Sequence, residues 1–538
     1  MADQKSDAPL MLGVSGLRGI VGESLTPEVA VRFAGAFAAW LWEVNPGAQV
    51  VIGRDGRVGG ESLYHTIIGA MLSSGCDVIP LGVVMTPTVA VAIDEGDYNA
   101  GLMITASHNP GEWNGIKILL PVPLPETIAN ESPGAAWRRW YDTRHACAPQ
   151  ADVASAILGA YERGAVDWET SSRTGAIRSY QHLFDAESER VESTAPFGPV
   201  QTHTAKVWQA VVIGMRHEYD DKNHDRILDV QQDYGRNCKK WRVVLDSVNA
   251  SGGPAAERLI RSFHADAIQL HGDNSGVFPH TPEPTAENLS GEGGLCDAVP
   301  GLKADIGFAQ DPDGDRLAIV DETGRYIGEE YTLTLCAVSI LEARKAAGEP
   351  FDNVVLCANL STSRMIDDIA ARYGATVVRT AVGEANVVEA MKRLKREGKA
   401  VLLGGEGNGG VIWPEVTYVR DSLGSMALVL SLMARTGKTV SELVADIPGY
   451  AIVKRKQPLA NKADAQPAID RIAAHYASER VDTQDGVRVD FNDDAGHGKA
   501  WVHVRASNTE PILRLIAEAK DEAAANAILD EVAAIVNG

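Results

Sequence analysis

Val50-Val51-Ile52 begins the stretch of sequence that decides the fold, and the stretch ends at Leu102-Met103-Ile104. The first apolar triplet is followed by a polar, glycine-rich loop at residues 53–60 and by a segment with helical character at residues 61–74. A second apolar strand follows at Val78-Ile79. Continuous apolar runs are typical of strands buried on both faces of a mainly parallel sheet, so the stretch predicts a βαβ unit.

The same order of elements occurs twice more along the chain. The second copy begins at Val243-Val244-Leu245 and its last strand is Ile306-Gly307-Phe308. The third copy begins at Val354-Val355-Leu356 and its last strand is Val401-Leu402-Leu403. A repeated βαβ pattern predicts three similar α/β domains. Ligands of such sheets bind beyond the carboxyl ends of the strands, so functional residues are expected directly after the last strand of each copy.

A loop rich in polar or flexible residues occupies that position in each copy. Residues 105–110 are Thr-Ala-Ser-His-Asn-Pro, which we call the serine loop. Residues 311–316 are Asp-Pro-Asp-Gly-Asp-Arg, the carboxylate loop, and residues 404–410 are Gly-Gly-Glu-Gly-Asn-Gly-Gly, the glycine-rich loop. Three equivalent loops predict three domains that face one cleft.

A fourth, smaller domain of α+β type is predicted after the third copy. Helical stretches at residues 463–478 and 521–536 accompany strands at residues 487–489 and 501–504. The predicted domains are 11–200 for domain I, with an insertion after about residue 121, then 201–324 for domain II, 325–447 for domain III and 448–538 for domain IV.

The pattern becomes weak between residues 121 and 240. Its aromatic residues are spread among polar stretches, and they are expected to form a small core of the insertion rather than a cofactor site. A linking helix is predicted at residues 205–216. The aromatic residues are Trp137, Trp140, Tyr141, Trp168 and Trp208.

Composition and charge exclude several classes of function. The chain has 538 residues, 45% of them hydrophobic, and a net charge of −22, which argues against nucleic acid or an anionic membrane as a partner. Six scattered cysteines without a Cys-x-x-Cys pair fit a reducing compartment. Residues 1–9 lack the apolar core of a signal peptide, and the longest apolar runs, such as residues 426–434, are far shorter than the ~20 residues of a membrane span. A cytoplasmic protein is expected.

Ser107 is the candidate nucleophile of the serine loop. A serine hydroxyl is a poor nucleophile unless a base or a metal assists it. A turn serine that makes a local backbone bond is the alternative for any isolated Ser-His-Asn sequence. The other loops of the chain decide between these two interpretations.

The carboxylate loop predicts a site for a hard divalent cation. Asp311, Asp313 and Asp315 alternate in a segment that Pro312 and Gly314 keep out of a helix, and three close carboxylates repel one another unless a cation neutralises them. All-oxygen ligands favour Mg²⁺, Mn²⁺ or Ca²⁺. A solvated turn is the plain alternative, but the apolar strands on both sides argue against it.

Two known types of aspartate loop fit less well. An EF-hand would need glycine at position 316, where Arg316 stands, and helices on both sides. A phosphatase of the haloacid-dehalogenase type would place Thr or Ser where Asp315 stands.

Other loops carry groups that suit a sugar phosphate. Residues 505–511, Arg-Ala-Ser-Asn-Thr-Glu-Pro, combine a guanidinium, two hydroxyls and an amide in one turn, which suits a phosphate monoester; a surface turn is the alternative. Near the N-terminus, Arg18 stands between glycines in the segment 15–19, and Lys117 follows the serine loop closely enough to face the same site. The proline-rich segment 278–284 is predicted to be a rigid connection from which His280 could face the cleft.

Taken together, the serine loop, the carboxylate loop, the glycine-rich loop and the turn at residues 505–511 resemble the four motifs of the α-D-phosphohexomutases. The motifs occur in the family's order and cover nearly the whole chain apart from residues 121–240. The family includes phosphoglucosamine mutases, phosphomannomutases and phosphoglucomutases. The resemblance implies four domains around a central cleft, the first three similar α/β domains and the fourth a smaller α+β domain. It also implies an intramolecular phosphotransferase.

The resemblance implies a role for each matching residue. Ser107 would carry a phosphoryl group, pass it to a hexose monophosphate, and recover the other phosphate from a hexose 1,6-bisphosphate intermediate, which also serves as activator. Mg²⁺ would be held by Ser107, Asp311, Asp313 and Asp315. The other implied catalytic residues are Arg18, His108, Lys117 and Arg316. The implied substrate-binding residues are Thr380, Gly383, Glu406, Asn408, Arg505, Ser507, Asn508, Thr509 and Arg514.

The glycine-rich loop departs from many bacterial members of the family. They place a histidine at its end, where Gly410 stands here. The loop is more similar to members assigned to phosphoglucosamine or mixed-specificity mutases, so glucosamine phosphate is the favoured substrate, ahead of mannose and glucose phosphates. A metal-dependent sugar phosphatase, or a sugar-phosphate or calcium-binding protein, are the alternatives. The chain is expected to act on small hexose phosphates as a monomer or a homodimer.

Overall fold

A computed structural model describes most of the chain. It covers residues 9–14, 16–121, 145–181, 198–216, 240–492, 498–507 and 511–537. Its strands form four separate sheets, and each sheet forms the framework of one domain. The predicted fold class is confirmed.

Domain I combines a parallel centre with antiparallel strands on one side. Its described strands are β1 (Met11–Gly13), β2 (Gly16–Ile20), β3 (Gln49–Arg54), β4 (Asp77–Val83), β5 (Ala100–Ile104) and β6 (Trp113–Leu119). Their order is β1-β2-β6-β5-β3-β4, in which β3 pairs in parallel with β4 and β5 while β6 runs antiparallel to β5. The serine loop therefore lies between the last parallel strand and the first antiparallel strand. The helices of this domain are α1 (Pro27–Val44), α2 (Gly60–Ser73), α3 (Thr86–Gly96) and α4 (Ala151–Glu162).

Domain II repeats this arrangement on a smaller scale. Its described strands are β7 (Arg242–Asp246), β8 (Asp266–His271), β9 (Ile306–Gln310) and β10 (Leu317–Asp321). The order is β10-β9-β7-β8, with β7 parallel to both β8 and β9 and β10 antiparallel to β9. The carboxylate loop joins β9 to β10. A helix α5 (Pro199–Arg216) precedes the domain, and its own helices are α6 (Gly252–Ser262), α7 (Ala286–Leu289) and α8 (Leu295–Gly301).

Domain III has the same sheet topology as domain II. Its described strands are β11 (Val354–Asn359), β12 (Thr376–Thr380), β13 (Ala400–Glu406) and β14 (Gly410–Ile412). β11 is parallel to β12 and β13, and β14 returns antiparallel to β13 across the glycine-rich loop. The helices are α9 (Glu329–Ala346), α10 (Met365–Tyr373), α11 (Glu384–Arg396), α12 (Ser422–Thr436) and α13 (Val440–Ala445).

Domain IV is built on an antiparallel sheet that differs from the other three. Its described strands are β15 (Ala451–Pro458), β16 (Arg480–Asp482), β17 (Val487–Asp490), β18 (Trp501–Ala506) and β19 (Ile512–Ala519). Their order is β15-β19-β18-β17-β16. A 3₁₀ turn (Lys462–Asp464) and the helices α14 (Ala465–His475) and α15 (Glu522–Asn537) complete the predicted α+β domain.

Two predictions about residues 121–240 need correction. The linking helix α5 begins at Pro199 rather than at residue 205, because proline is well suited to the first turn of a helix. The aromatic residues do not form a separate core: Trp168 is 52% exposed, and Trp208 packs edge-on against Phe263 of domain II at 5.0 Å. Trp137, Trp140 and Tyr141 lie outside the described residues.

Candidate active site

The serine loop holds Ser107 in a strained and nearly buried position. Ser107 has a φ of 52°, in the left-handed region that non-glycine residues rarely adopt, and is 1% exposed. Its amide donates to Thr105 Oγ1 at 2.8 Å, and the Thr105 hydroxyl donates to Asp55 Oδ2 at 2.6 Å. These buried hydrogen bonds stabilise a conformation that the backbone alone disfavours.

Arg57, which sequence reasoning missed, holds the backbone of the serine loop through hydrogen bonds. Its guanidinium donates to four carbonyl groups, and the contact with Ser107 O is 2.5 Å long. The others are the carbonyl oxygens of Asn109, Pro110 and Trp113 at 3.3, 3.1 and 2.6 Å. Arg57 is 1% exposed, and its Nε also donates to Asp55 Oδ2 at 2.8 Å, the oxygen that accepts from Thr105, so the buried guanidinium shapes the loop. The available signal was its place directly beyond the end of β3.

The Ser107 hydroxyl lies against the carboxylate loop. Ser107 Oγ donates to Asp311 Oδ2 at 2.9 Å, across a separation of 204 residues, and lies 3.4 Å from His108 Nδ1. Burial lowers the pKa of His108 to about 3, and the neighbouring cations Arg316 and Arg18 act in the same direction. His108 is therefore a neutral hydrogen-bonding group near Ser107.

The three aspartates form a set of donor atoms that fits a hard cation. Each offers a carboxylate oxygen within 4.8 Å of the others, and all three side chains are essentially buried. Asp313 Oδ1 and Asp315 Oδ1 accept no hydrogen bond from any described residue. Unpartnered buried oxygens are costly unless a cation binds them, and oxygen-only ligands suit Mg²⁺.

The pKa shifts in the triad also favour a bound cation. Burial raises the pKa of Asp311 well above its usual value, and the neighbouring Asp315 and Asp313 raise it further. Burial also acts to raise the pKa of Asp315, but Arg420 and Lys117 outweigh it and lower that pKa overall. Asp311 and Asp315 thus do not share the neighbouring cations equally, and Asp311 is the less compensated of the two.

Lys117 reaches the triad from β6. Its ammonium donates to Asp313 Oδ2 at 2.5 Å and to Asp315 Oδ2 at 3.2 Å. Burial lowers the pKa of Lys117, but the two carboxylates outweigh burial and raise it overall. Lys117 therefore carries a proton within reach of the site.

The arginines at positions 18 and 316 lie at the same place. Arg18 Nη1 donates to Asn109 Oδ1 of the serine loop at 3.2 Å, and Arg316 Nε lies 3.9 Å from Asp315 Oδ1. Burial lowers the pKa of Arg18, although Asp313 and Asp315 counteract the effect. The structure thus brings together all the predicted catalytic and metal-binding residues of domains I and II.

The backbone of the carboxylate loop is held by three domains at once. Ser251 Oγ of domain II donates to Pro312 O at 2.8 Å. The Thr86 amide of domain I donates to the next carbonyl group, that of Asp313, at 2.9 Å. Ser422 Oγ of domain III donates to the carbonyl oxygen after that, of Gly314, at 2.7 Å. The loop is therefore the junction of the three domains.

Glu406 of the glycine-rich loop is already hydrogen-bonded within domain III. Its Oε1 accepts from Asn359 Nδ2 at 2.8 Å and from the Gly383 amide at 3.2 Å, and its Oε2 accepts from Arg420 at 2.9 Å. Glu406 and Gly383 were both predicted to be substrate-binding residues, and they are in direct contact.

The other two residues predicted to bind substrate from domain III are held locally. Thr380 is buried and donates to Ala381 O at 2.9 Å. Asn408 Oδ1 accepts from the Gly410 amide at 3.2 Å.

Arg420 is the second important residue that sequence reasoning missed. Its guanidinium donates to Asp315 Oδ2 at 2.7 Å, to Glu384 Oε2 at 2.7 Å and to Glu406 Oε2 at 2.9 Å. Burial lowers the pKa of Arg420, but these carboxylates outweigh it and raise the pKa well above its usual value. Arg420 thus joins the carboxylate loop to the glycine-rich loop. Its sequence context, Val-Arg-Asp before a helix, gave no signal of this role.

Domain IV presents a row of cations on neighbouring strands. Arg505 on β18 lies directly opposite Arg514 on β19, which in turn lies opposite Lys456 on β15. Like charges placed directly opposite each other are unfavourable, and an anion bound between them would relieve the repulsion. We call these three residues the basic row. Lys456 was not predicted, and the predicted residues Asn508 and Thr509 lie outside the described residues.

A chain of contacts connects the basic row to the rest of the site. Arg505 Nε lies 3.5 Å from Asp485 Oδ2, and the same oxygen accepts from the Val382 amide at 3.0 Å. The next residue, Gly383, contacts Glu406. Ser507 lies at the end of β18, where its amide donates to Ile512 O at 3.0 Å. His280 is not among these residues, since it contacts Asp246 in domain II.

Sequence comparison matches each domain of the chain in order. Residues 9–131 match the family described as phosphoglucomutase/phosphomannomutase, alpha/beta/alpha domain I. Residues 221–324 match domain II of that description and residues 329–450 match domain III. Residues 454–535 match its C-terminal domain.

Curated relatives are similar over almost the whole chain. A protein of Thermococcus kodakarensis named "Phosphoglucomutase/phosphomannomutase" is 33% identical over 97% of both chains. A protein of Methanopyrus kandleri named "Probable phosphoglucosamine mutase" is 31% identical, again over 97% of both chains.

Solved structures share the fold. A phosphoglucomutase/phosphomannomutase family protein from Burkholderia thailandensis has a TM-score of 0.70 at 23% identity, covering 98% of each chain. The N-acetylphosphoglucosamine mutase of Aspergillus fumigatus, solved with GlcNAc-6P and magnesium, has a TM-score of 0.53 at 16% identity, over 97% of this chain and 95% of that one. Within the described ranges, no helix combines the length and apolar character needed to cross a membrane.

Proposed function

Because the chain belongs to the phosphoglucomutase/phosphomannomutase family of isomerases, we propose that it interconverts the 6- and 1-phosphates of a hexose through a phosphoserine at Ser107 and a hexose 1,6-bisphosphate intermediate. The favoured substrate is glucosamine phosphate, and mannose and glucose phosphates are the alternatives. The observation that carries the proposal is the contact of Ser107 Oγ with Asp311 inside the aspartate triad.

The proposed reaction consists of two phosphoryl transfers. In the first, the bond between phosphorus and Ser107 Oγ breaks while phosphorus bonds to the free hydroxyl of the hexose monophosphate; that hydroxyl loses a proton and Ser107 Oγ gains one. In the second, Ser107 Oγ loses its proton and takes the other phosphoryl group of the bisphosphate, whose released sugar oxygen is protonated. Phosphate is conserved, so no net hydrolysis occurs.

The residues of domains I and II have separate roles in these transfers. Asp311, Asp313 and Asp315, with Ser107, would hold Mg²⁺, which when bound neutralises charge on the transferring phosphoryl group. Arg18 and Arg316 add positive charge at the same place. Lys117 is the proton-transfer group, because its protonated amine contacts two members of the triad. His108 is a neutral hydrogen-bonding group beside the serine.

Domains III and IV would hold the parts of the substrate that do not react. In the proposal, Glu406 and Asn408 bind sugar hydroxyls beside Thr380 and Gly383. The basic row, with Ser507, Asn508 and Thr509, binds the non-reacting phosphate, which positions the sugar for in-line attack. The similarity to proteins named as phosphoglucosamine mutases supports glucosamine phosphate. The carboxylates Glu384 and Glu406 share one guanidinium, a charge balance that favours a sugar ammonium group.

A coupled assay tests this proposal. Wild-type protein, supplied with Mg²⁺ and a catalytic amount of hexose bisphosphate, should interconvert glucosamine phosphates fastest, and Ser107→Ala should be inactive. Ser74→Ala is the matched control, since Ser74 is equally buried but lies at the end of α2. Full interconversion by Ser107→Ala, or release of inorganic phosphate instead of isomerisation, would contradict the mechanism. Equal rates on all three sugars would contradict only the substrate preference.

A further inference from the structure

Domain II contains a second cluster of metal-ligating side chains, separate from the aspartate triad. Asp246 is the last residue of β7, His271 is the last residue of β8, and His280 lies in the segment that follows. The three side chains offer ligand atoms within 4.8 Å of one another. Asp246 is 1% exposed, whereas the two imidazoles are only partly buried.

Both imidazoles point at the same carboxylate oxygen. Asp246 Oδ2 lies 3.0 Å from His271 Nδ1 and 3.0 Å from His280 Nε2. The other oxygen, Oδ1, is occupied by the amide of Val248 at 3.0 Å. The carboxylate is therefore fixed by the backbone on one side and faces two ring nitrogens on the other.

The hydrogen bond of the second ring nitrogen of His280 determines which nitrogen of that ring carries the hydrogen. His280 Nδ1 lies 2.8 Å from Thr281 O, and a carbonyl oxygen can only accept a hydrogen bond. His280 Nδ1 must therefore carry the hydrogen, so in a neutral ring Nε2 presents a lone pair toward Asp246 Oδ2. The Nε2 lone pair and the Asp246 oxygen are then two acceptors 3.0 Å apart, and they repel each other unless a proton or a metal ion lies between them.

A divalent cation fits this arrangement. Metal-bound histidine commonly donates its other ring N–H to a backbone carbonyl, as His280 does to Thr281. Bonds of about 2.1 Å place neighbouring ligand atoms about 3.0 to 3.4 Å apart, close to the spacing seen here. Two imidazoles and one carboxylate suit Zn²⁺ and similar transition metals rather than Mg²⁺. His280 also lines a groove of about 610 Å³ between domains I and II, which gives an ion access.

We propose that Asp246, His271 and His280 form a binding site for a Zn²⁺-class cation. This site is separate from the triad, because its ligands differ in type and follow β7 and β8 rather than β9.

The proposed ion would also fix a contact behind the serine loop. The segment between the two histidines packs against domain I so closely that a Cβ on Gly276 would lie 2.0 Å from Gly56 O. In the same segment, the Phe278 ring lies 5.3 Å from the guanidinium of Arg57, which holds the carbonyl of Ser107. A bound ion at His271 and His280 would therefore restrain the segment that supports Arg57.

Titration with Co²⁺ tests the site, because Co²⁺ substitutes for Zn²⁺ and absorbs visible light when nitrogen ligands bind it. The metal-free full-length protein is titrated in excess Mg²⁺, which occupies oxygen-only sites. We expect one equivalent of Co²⁺ with a saturable visible band, and a rise in the thermal unfolding midpoint when Zn²⁺ is added. His271→Gln and His280→Gln should each weaken Co²⁺ binding by at least about tenfold.

Two variants serve as controls. Asp313→Asn alters the triad and should keep the Co²⁺ band, and His264→Asn removes an exposed histidine of the same domain and should also keep it. The absence of a saturable band in the wild type would overturn the proposal and leave a hydrogen-bonded cluster with a protonated His280. A band that survives in both histidine variants, or disappears in Asp313→Asn, would also overturn it. If the histidine variants do not fold, the Co²⁺ titrations of wild type and Asp313→Asn still show whether a nitrogen-containing site separate from the triad binds the ion.

Discussion

The carboxylate loop and the basic row are held by the rest of the molecule in opposite ways. The loop is buried, and three domains bond its successive carbonyl groups. One apolar cluster contains residues of the same three domains, from Met85 of domain I to Ile447 of domain III. The basic row lies on a sheet whose apolar cluster is formed by residues of domain IV. A change in the loop should therefore disturb the whole molecule, whereas a change in the row should disturb substrate binding alone.

The contact between domains III and IV is largely polar. His503 Nδ1 lies 2.8 Å from Ser361 Oγ, and Arg488 donates to Leu360 O. Glu518 Oε1 accepts from the Arg364 amide at 3.0 Å. Hydrogen bonds contribute little net free energy when water can replace them. Domain IV is therefore the part of the described structure most easily separated from the others.

The largest effect is expected from Asp313→Asn. The substitution removes the negative charge of one triad carboxylate, and Oδ2 of that carboxylate accepts hydrogen bonds from Lys117 and Thr86. Since a bound metal contributes several kcal/mol to such reactions, kcat/KM should fall by at least about 1000-fold. Steady-state kinetics across a Mg²⁺ titration measure this loss. Asp352→Asn, at an exposed position, is the control; an active Asp313→Asn enzyme would remove the triad from the mechanism.

The next largest effect is a loss of stability at acidic pH at the interface between domains III and IV. Burial lowers the pKa of His503 to about 4, from about 6.5 in the unfolded chain. The unfolded state therefore binds more protons between these values, so stability contributed by neutral His503 is present above about pH 6.5 and is lost as the pH falls toward 4, by on the order of 3 kcal/mol.

Denaturant unfolding at several pH values measures that dependence. His503→Gln should flatten the decline in the free energy of unfolding between pH 6.5 and 4, and the exposed His475→Gln should leave it unchanged. KM of the wild type should rise in the same range, because domain IV separates before the rest unfolds. An identical acid profile for His503→Gln and wild type would show that another group governs the interface.

Arg514→Gln tests the basic row directly. Arg514 is exposed between Arg505 and Lys456, so its loss should leave the free energy of unfolding within about 0.5 kcal/mol. A charged hydrogen bond contributes about 1.5–3 kcal/mol, so KM should rise about 10- to 100-fold while kcat changes much less. Arg480→Gln, at an exposed position on β16, is the control. A fall in stability without a change in KM would mean that the row is structural.

Local sequence pattern predicted the framework of both regions. The apolar triplets of the three copies become the parallel strands β3, β7 and β11, because burial on both faces of a sheet demands continuous apolar residues. The serine and carboxylate loops follow at the strand ends, and the structure places Ser107 against Asp311. The predicted boundaries of the four domains and the roles of the site residues stay predictions.

The residues that the sequence did not predict act through distant partners. Arg57 contacts a carbonyl 50 residues away, and Arg420 contacts a carboxylate 105 residues away. Local periodicity contains no information on such pairs. Trp208 was wrongly assigned to a core of the insertion for the same reason, since its partner Phe263 lies 55 residues further along the chain, at the end of α6. Charged residues directly beyond a strand end or before a helix are therefore worth weighing as partners of distant loops.

The smallest effect is expected where one of the three domain contacts with the carboxylate loop is weakened, because the Ser422 amide still donates to Gly314 O at 3.2 Å when the hydroxyl is removed. Ser422 is buried, donates to Gly314 O and accepts from Gln310 Nε2 at 2.7 Å. Ser422→Ala should lower the free energy of unfolding by about 1–3 kcal/mol, because two buried polar groups lose a partner. It should also raise the Mg²⁺ concentration needed for half-maximal activity, since the loop that carries the triad is less restrained.

A second serine of the same helix provides the control for that measurement. Ser431 is also buried, but its hydroxyl donates to Ala427 O within α12, so Ser431→Ala removes no contact between domains. Denaturant unfolding and Mg²⁺ titration of the two variants should therefore diverge. If Ser431→Ala changed the Mg²⁺ requirement as much as Ser422→Ala, the junction of three domains would not control the triad, and the contrast between the carboxylate loop and the basic row would rest on burial alone.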